Sequence, residues 1–155
     1  VRDTSLDVRL ARAAPYLTGA ALAVAAAGAT SAASAFAPTY LASWVAAFLA
    51  LVLGLAQALI GTARVLLPPR PPEVATTTSE ALAFDAAGLA VLAGTLLDRP
   101  AVTTAGGALL LGVLVVWARA ERRSVLRGPW RWVFRGMVSV LALSVPVGVA
   151  LAWWS

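Results

Sequence analysis

Between Arg12 and Arg64 the chain reads AAPYLTGAALAVAAAGATSAASAFAPTYLASWVAAFLALVLGLAQALIGTA, 51 residues from Ala13 to Ala63 without a charged side chain. A helix crosses the roughly 30 Å hydrocarbon core of a bilayer with about 20 apolar residues. The stretch is too long for one crossing and suits two. Its break is marked by Pro38 and Thr39, preceded by Ser31 and Ser34. Proline is favoured in the first turn of a helix and disrupts its interior. The expected spans are therefore 15–35 and 38–63.

The rest of the chain continues the pattern. Leu67-Pro68-Pro69-Arg70-Pro71-Pro72 cannot be helical and reads as a stiff extended connector. Thr76-Thr77-Thr78-Ser79-Glu80 reads as a hydroxyl cap with an acid in the first turn, which opens a third span at 79–97. Asp98-Arg99-Pro100 is a polar turn, and a fourth span follows at 101–118. A fifth runs over 132–154 through Pro146, where neighbouring helices can cover a freed carbonyl. The fold class expected is an all-α, polytopic integral membrane protein: one transmembrane domain over 1–155, with about five helices in a compact bundle. Loops 64–78 and 119–131 fall on the cytoplasmic side.

The arginines orient the spans. The chain has twelve basic and seven acidic residues, and every basic residue is Arg. With five spans and a cytoplasmic N-terminus, eleven arginines lie inside and only Arg99 outside, as the positive-inside rule asks. The pI near 11.3 then records membrane insertion, not nucleic-acid binding. Arg in place of Lys, with abundant Ala, Gly, Val and Leu, resembles GC-rich bacterial coding. The localisation expected is a bacterial inner membrane, multi-pass, with the C-terminus outside. An alternative for the first span is a secretory signal ending at Ala33-Ser34-Ala35. A retained span is the reading adopted.

The missing residue types restrict function. There is no His, Cys, Lys or Asn, and Gln57 is the single glutamine. Histidine-ligated haem, ordinary zinc sites, iron–sulfur clusters, thiol nucleophiles and lysine Schiff bases are all excluded. No acid pair, activated nucleophile or metal-ligand spacing is legible, so neither catalysis nor a cofactor is expected.

Three sets of residues remain as candidates. Asp85 lies five residues beyond Glu80, about 7.5 Å deeper along a helix. An ionisable residue at that depth needs a partner. Arg64 is the nearest basic candidate, with Gln57 close by, so Asp85, Arg64, Gln57 and Glu80 form a candidate intramembrane polar site. The second set is the basic, aromatic segment Arg119, Arg122, Arg123, Arg127, Trp130, Arg131, Trp132 and Arg135, a candidate docking site for anionic lipid or an acidic partner. The third is small residues at spacing four: Gly19, Ala23, Ala27 and Ser31 in the first span, Ala86, Ala90 and Gly94 in the third, Ser144 and Gly148 in the fifth. Such rows let helices approach closely in lipid. Asp7, Arg9 and Arg12 suggest a short amphipathic lead-in along the inner surface.

These features favour a non-catalytic accessory or assembly subunit of a larger inner-membrane complex, whether respiratory, lipid-transporting or envelope-building. It would act through helix packing and its basic cytoplasmic loop. Its expected partners are other membrane subunits and anionic lipids, with no nucleic acid. The alternative is a small transporter or channel using Asp85, Arg64 and Gln57.

Overall fold

A computed structural model describes residues 6–66, 68, 71–122 and 129–154. The described residues are almost entirely helical. Five long helices follow in order: α1 (Leu6–Ala33), α2 (Tyr40–Leu66), α3 (Val74–Leu96), α4 (Pro100–Arg122) and α5 (Pro129–Trp154). Helix α1 packs along α2 and also touches α3. The most extensive contact is that of α1 with α2, the next joins α3 to α4, and α5 leans on α4 and more lightly on α2.

Four of these helices, α1 to α4, are long and apolar enough to cross a membrane. The count among the described residues is thus four, against five expected. In α5 the apolar stretch among the described residues is the shorter Phe134–Ala150. Large apolar side chains such as Leu22, Leu51, Leu82, Val140 and Leu143 point outward. That is compatible with a multi-pass membrane protein.

The helix bounds differ from expectation where local chemistry outweighs hydropathy. Helix α1 begins at Leu6, so the expected surface lead-in is the first turns of the same helix, and Pro15 lies within it. The physical reason is a set of contacts at the far end of α2. Arg9 Nη1 donates to the carbonyls of Val65, Leu66 and Pro68 at 3.2, 2.9 and 2.8 Å, and Arg12 Nη1 donates to Pro71 at 3.0 Å. Terminal helix carbonyls lack intrahelical partners and carry partial negative charge, so arginine satisfies them well.

Helix α2 starts at Tyr40 and not at Pro38. Thr39 is its N-cap, with the hydroxyl accepting from the Ala42 N–H at 3.1 Å. Its middle, Leu49–Gly61, is π-helical, with the wider i→i+5 turn.

Helix α3 starts at Val74, five residues before the expected Ser79. The Thr-Thr-Thr-Ser run therefore sits inside the helix. Its hydroxyls bond backward, Thr77 to Val74 O and Ser79 to Thr76 O, both at 2.9 Å. The polar turn after α3 is a Schellman motif: Asp98 takes φ 51°, Arg99 N–H reaches Gly94 O at 2.7 Å, and Asp98 N–H reaches Thr95 O at 3.4 Å. Pro100 then starts α4, where its missing N–H costs nothing.

Close helix contacts rest on small residues. A Cβ on Gly61 would stand 2.4 Å from Tyr16 Cγ, and one on Gly88 2.3 Å from Leu53 Cδ2. One on Gly94 would meet Thr103 N at 2.4 Å, and one on Gly106 the Val91 N at 2.7 Å. The rows at spacing four follow these contacts only in part. In α1 the buried stripe is Ala13, Tyr16, Ala20, Ala23 and Ala27. Gly19 is half-buried and Ser31 exposed. In α3, Ala86 is exposed, Ala90 half-buried and Gly94 buried. At 3.6 residues per turn a row of every fourth residue drifts about 40° per step, so it leaves the contact face within three steps. Ser144 and Gly148 in α5 are both exposed.

Candidate functional site

Near one end of the bundle, four helices meet at one carboxylate. Arg64 near the end of α2 donates from Nη2 to Glu80 Oε1 on α3 at 3.0 Å. Tyr16 of α1 donates its hydroxyl to Glu80 Oε2 at 2.7 Å, and Trp117 Nε1 of α4 donates to the same oxygen at 2.9 Å. The four side chains are almost wholly removed from the surface: Tyr16 and Trp117 are 0% exposed, with Arg64 at 16% and Glu80 at 11%. The aromatic rings close the site. Tyr16 meets Trp117 edge-on at 5.7 Å, and Phe84 stacks on Trp117 at 5.2 Å.

This geometry is made by the register of the helices. Because α3 starts at Val74, Glu80 lies nearly two turns inside the helix instead of at its mouth. Arg64 lies two residues before the end of α2 at Leu66. A carboxylate taking three donors, one of them charged, has its acceptor capacity well used. The arrangement is a clamp across the bundle.

Asp85 therefore does not pair with Arg64 as its depth suggested; Glu80 holds that arginine. The Asp85 carboxylate instead faces α1 and α2 one level deeper. A Cβ on Gly19 would stand 2.7 Å from Asp85 Oδ2, 3.2 Å from Oδ1 and 2.7 Å from Gln57 Nε2. Gln57 is 0% exposed, and neither of its amide atoms makes a hydrogen bond among the described residues. The four residues expected as one polar site are thus two pairs: Arg64 with Glu80, where the buried Arg64 Nε has no partner among the described residues, and Gln57 with Asp85.

The basic segment is described in part. Arg123 and Arg127 lie outside the described residues, and the side chains of Arg122, Trp130 and Arg131 likewise. Arg119 is exposed at the end of α4. Trp132 is 73% exposed with the Arg135 guanidinium 6.0 Å from its ring centroid, a cation–π approach at the limit of its range.

At the other end of the bundle, a cavity of about 300 Å³ opens between α2, α3, α4 and α5, walled by Trp44, Phe48, Thr103, Gly107, Val145 and Gly148. No group of three or more acidic residues could hold a metal ion among the described residues.

Tyr16 and Trp117 were not expected at the site. They carry no charge, and 64 residues separate Tyr16 from Glu80. The available signal was position: one aromatic residue lies just past Arg12 and the other just before Arg119, at the depth of Glu80. The class that fold and site define is an all-helical bundle of apolar helices closed at one end by a buried ion-pair clamp. No family model, curated protein or solved structure matches the chain.

Proposed function

We propose that the chain is a non-catalytic accessory or assembly subunit of a larger bacterial inner-membrane complex. At least four of its helices cross the membrane, with its N-terminus cytoplasmic. The observation that carries this reading is a surplus of small residues on outward faces. Gly28, Gly112 and Gly136 meet no atom within 4 Å of a notional Cβ, and Ser31 and Ala86 are exposed as well. In lipid, helices associate by close packing at such positions. The internal clamp supports the same role, because it engages the Arg64 and Glu80 charges in holding helices together. Arg119 and the Trp132–Arg135 pair suit anchoring at an anionic headgroup layer.

The test is extraction in mild detergent and native electrophoresis. The chain should migrate with partner chains at fixed stoichiometry. Gly136→Leu, at a position with open space around it, should release those partners while leaving the chain folded. A monomer that the substitution does not change would count against the subunit reading.

A second reading, a small transporter or channel, loses Arg64 to the clamp and rests on Gln57 and Asp85 alone.

A further inference from the structure

We infer that the cavity between α2, α3, α4 and α5 holds one hydrocarbon chain of a membrane lipid, seated against Gly148. The inference rests on these helices lying in the membrane, as proposed above, and not on the chain being a subunit.

Glycine makes the room. Gly148 lines the cavity, and a Cβ there would meet no atom within 4 Å. It stands in the interior of α5, where glycine costs a helix about 1 kcal/mol relative to alanine. Ser144, one turn earlier, keeps the same wall low. Across from it on α4, Gly107 lies against Val145 and Val149. Helix α5 leans only lightly on α2. The gap this leaves is walled on the α2 side by Trp44 and Phe48, whose rings stack at 5.4 Å.

The cavity runs along the helices. Its α5 wall extends from Leu141 to Val149, about 12 Å at 1.5 Å per residue. One turn beyond that wall, Trp153 donates from Nε1 to Thr104 Oγ1 at 3.1 Å. Tryptophan settles at headgroup level. The cavity therefore lies beneath that level, at acyl-chain depth in the leaflet opposite the Glu80 clamp.

Chemistry and size select the occupant. The wall is mostly apolar, and its hydroxyls are engaged elsewhere. Thr95 and Ser144 donate to the carbonyls of Val91 and Leu141 at 2.9 and 2.8 Å. The Thr103 hydroxyl lies against α3, where a Cβ on Gly94 would stand 2.4 Å from it. Apolar cavities of about 150 Å³ stay dry and take up apolar guests, and this one has about 300 Å³. A partner helix is too thick. At about 10–12 Å across it would displace on the order of 1000 Å³ over the same length. The bilayer supplies slender apolar chains at that depth, running parallel to α5.

The test uses the purified full chain, reconstituted in phospholipid nanodiscs and then washed in detergent until the surrounding lipid is removed. Phosphorus analysis should leave one phospholipid per chain, and native mass spectrometry should show the chain with a single lipid adduct. Phosphatidylcholine and phosphatidylglycerol should be retained equally, and high salt should release neither, because the tail is what is held. Gly148→Leu puts a side chain into the cavity and should lower retention about tenfold or more, with Tm unchanged or raised. Gly136→Leu, outside the cavity, should keep the lipid. Absence of lipid on the washed parent chain overturns the site, even if no variant folds. So does equal retention by Gly148→Leu, or retention of phosphatidylglycerol alone, which would point to the arginines. A complex purified with its partner chains and free of lipid also overturns it, since a partner's side chain would then fill the space. A lipid-bearing chain that has no partners would instead count against the proposed function alone.

Discussion

Tyr16 donates its hydroxyl hydrogen to Glu80 Oε2 over 2.7 Å, and that bond ties the first helix of the chain to the third. The same oxygen accepts from Trp117 on the fourth, and the other carboxylate oxygen accepts from Arg64 on the second. Four helices are thus referenced to one side chain, which makes Glu80 the position where substitution is felt most widely.

Glu80→Gln should destabilise the bundle by about 3 kcal/mol or more, because it leaves the largely buried Arg64 guanidinium without its counter-charge. Thermal unfolding of the purified protein in detergent reads the effect as a lowered Tm. The double variant Glu80→Gln with Arg64→Leu should lose less than the two single losses added, since each single variant strands the other partner. Strict additivity would show that the pair is not coupled.

Gly61→Ala should cost about 1–3 kcal/mol through overpacking. The new Cβ would lie 2.4 Å from Tyr16 Cγ and 2.7 Å from its Cβ, atoms near the root of the side chain that cannot swing away. The displaced ring would also lengthen the bond to Glu80. Gly112→Ala is the matched control: nothing lies within 4 Å of its notional Cβ, so it should be neutral or gain up to about 1 kcal/mol from helix propensity. Equal Tm changes in the two variants would contradict the packing described here.

Arg9→Ala should loosen the end of α2. The guanidinium spans three carbonyls, those of Val65, Leu66 and Pro68, and hydrogen bonds from a charged donor contribute about 1.5–3 kcal/mol. Hydrogen exchange at the Val65 and Leu66 amides should quicken, while amides in the middle of α4 keep their protection. Unchanged exchange at the end of α2 would mean that the arginine does not hold it.

The direction of insertion has its own measurement. The chain has no cysteine, so single cysteines at positions 73, 99 and 119 can be labelled in intact cells with a membrane-impermeant reagent. Position 99 should react from outside, and 73 and 119 only after lysis. Helices α3 and α4 place 73 and 119 at one end and 99 at the other. Reaction of 99 and 119 from the same side would exclude the crossing of α4.

Much of the helical plan was legible because it follows from composition. The uncharged run of 51 residues, the proline-rich connector and the Asp98-Arg99-Pro100 turn mark where helices form and where they stop. The Thr-Thr-Thr-Ser run misled for a local reason. Hydroxyl residues favour a cap, but they are also at home in a first turn when a backbone carbonyl lies behind them, as Val74 O does for Thr77. The packing rows misled for a geometric reason. Spacing four is near the helical repeat but not equal to it, so Gly19 and Ser31 do not share a face.

The candidate site was legible as a set of residues and not as a set of pairs. Hydropathy and depth singled out Asp85, Glu80, Arg64 and Gln57, because any polar side chain stands out in an apolar segment. Those residues and the helical segments follow from the sequence alone, since each depends on local chemistry and one-dimensional spacing. The tertiary structure decided that Arg64 belongs to Glu80, that Tyr16 and Trp117 complete the clamp, and that Asp85 and the buried amide of Gln57 pack together against Gly19. Pairing depends on how helices rotate and slide against one another. That is set by contacts such as Gly61 on Tyr16 and Gly88 on Leu53, between residues that nothing in the linear order of the chain brings together.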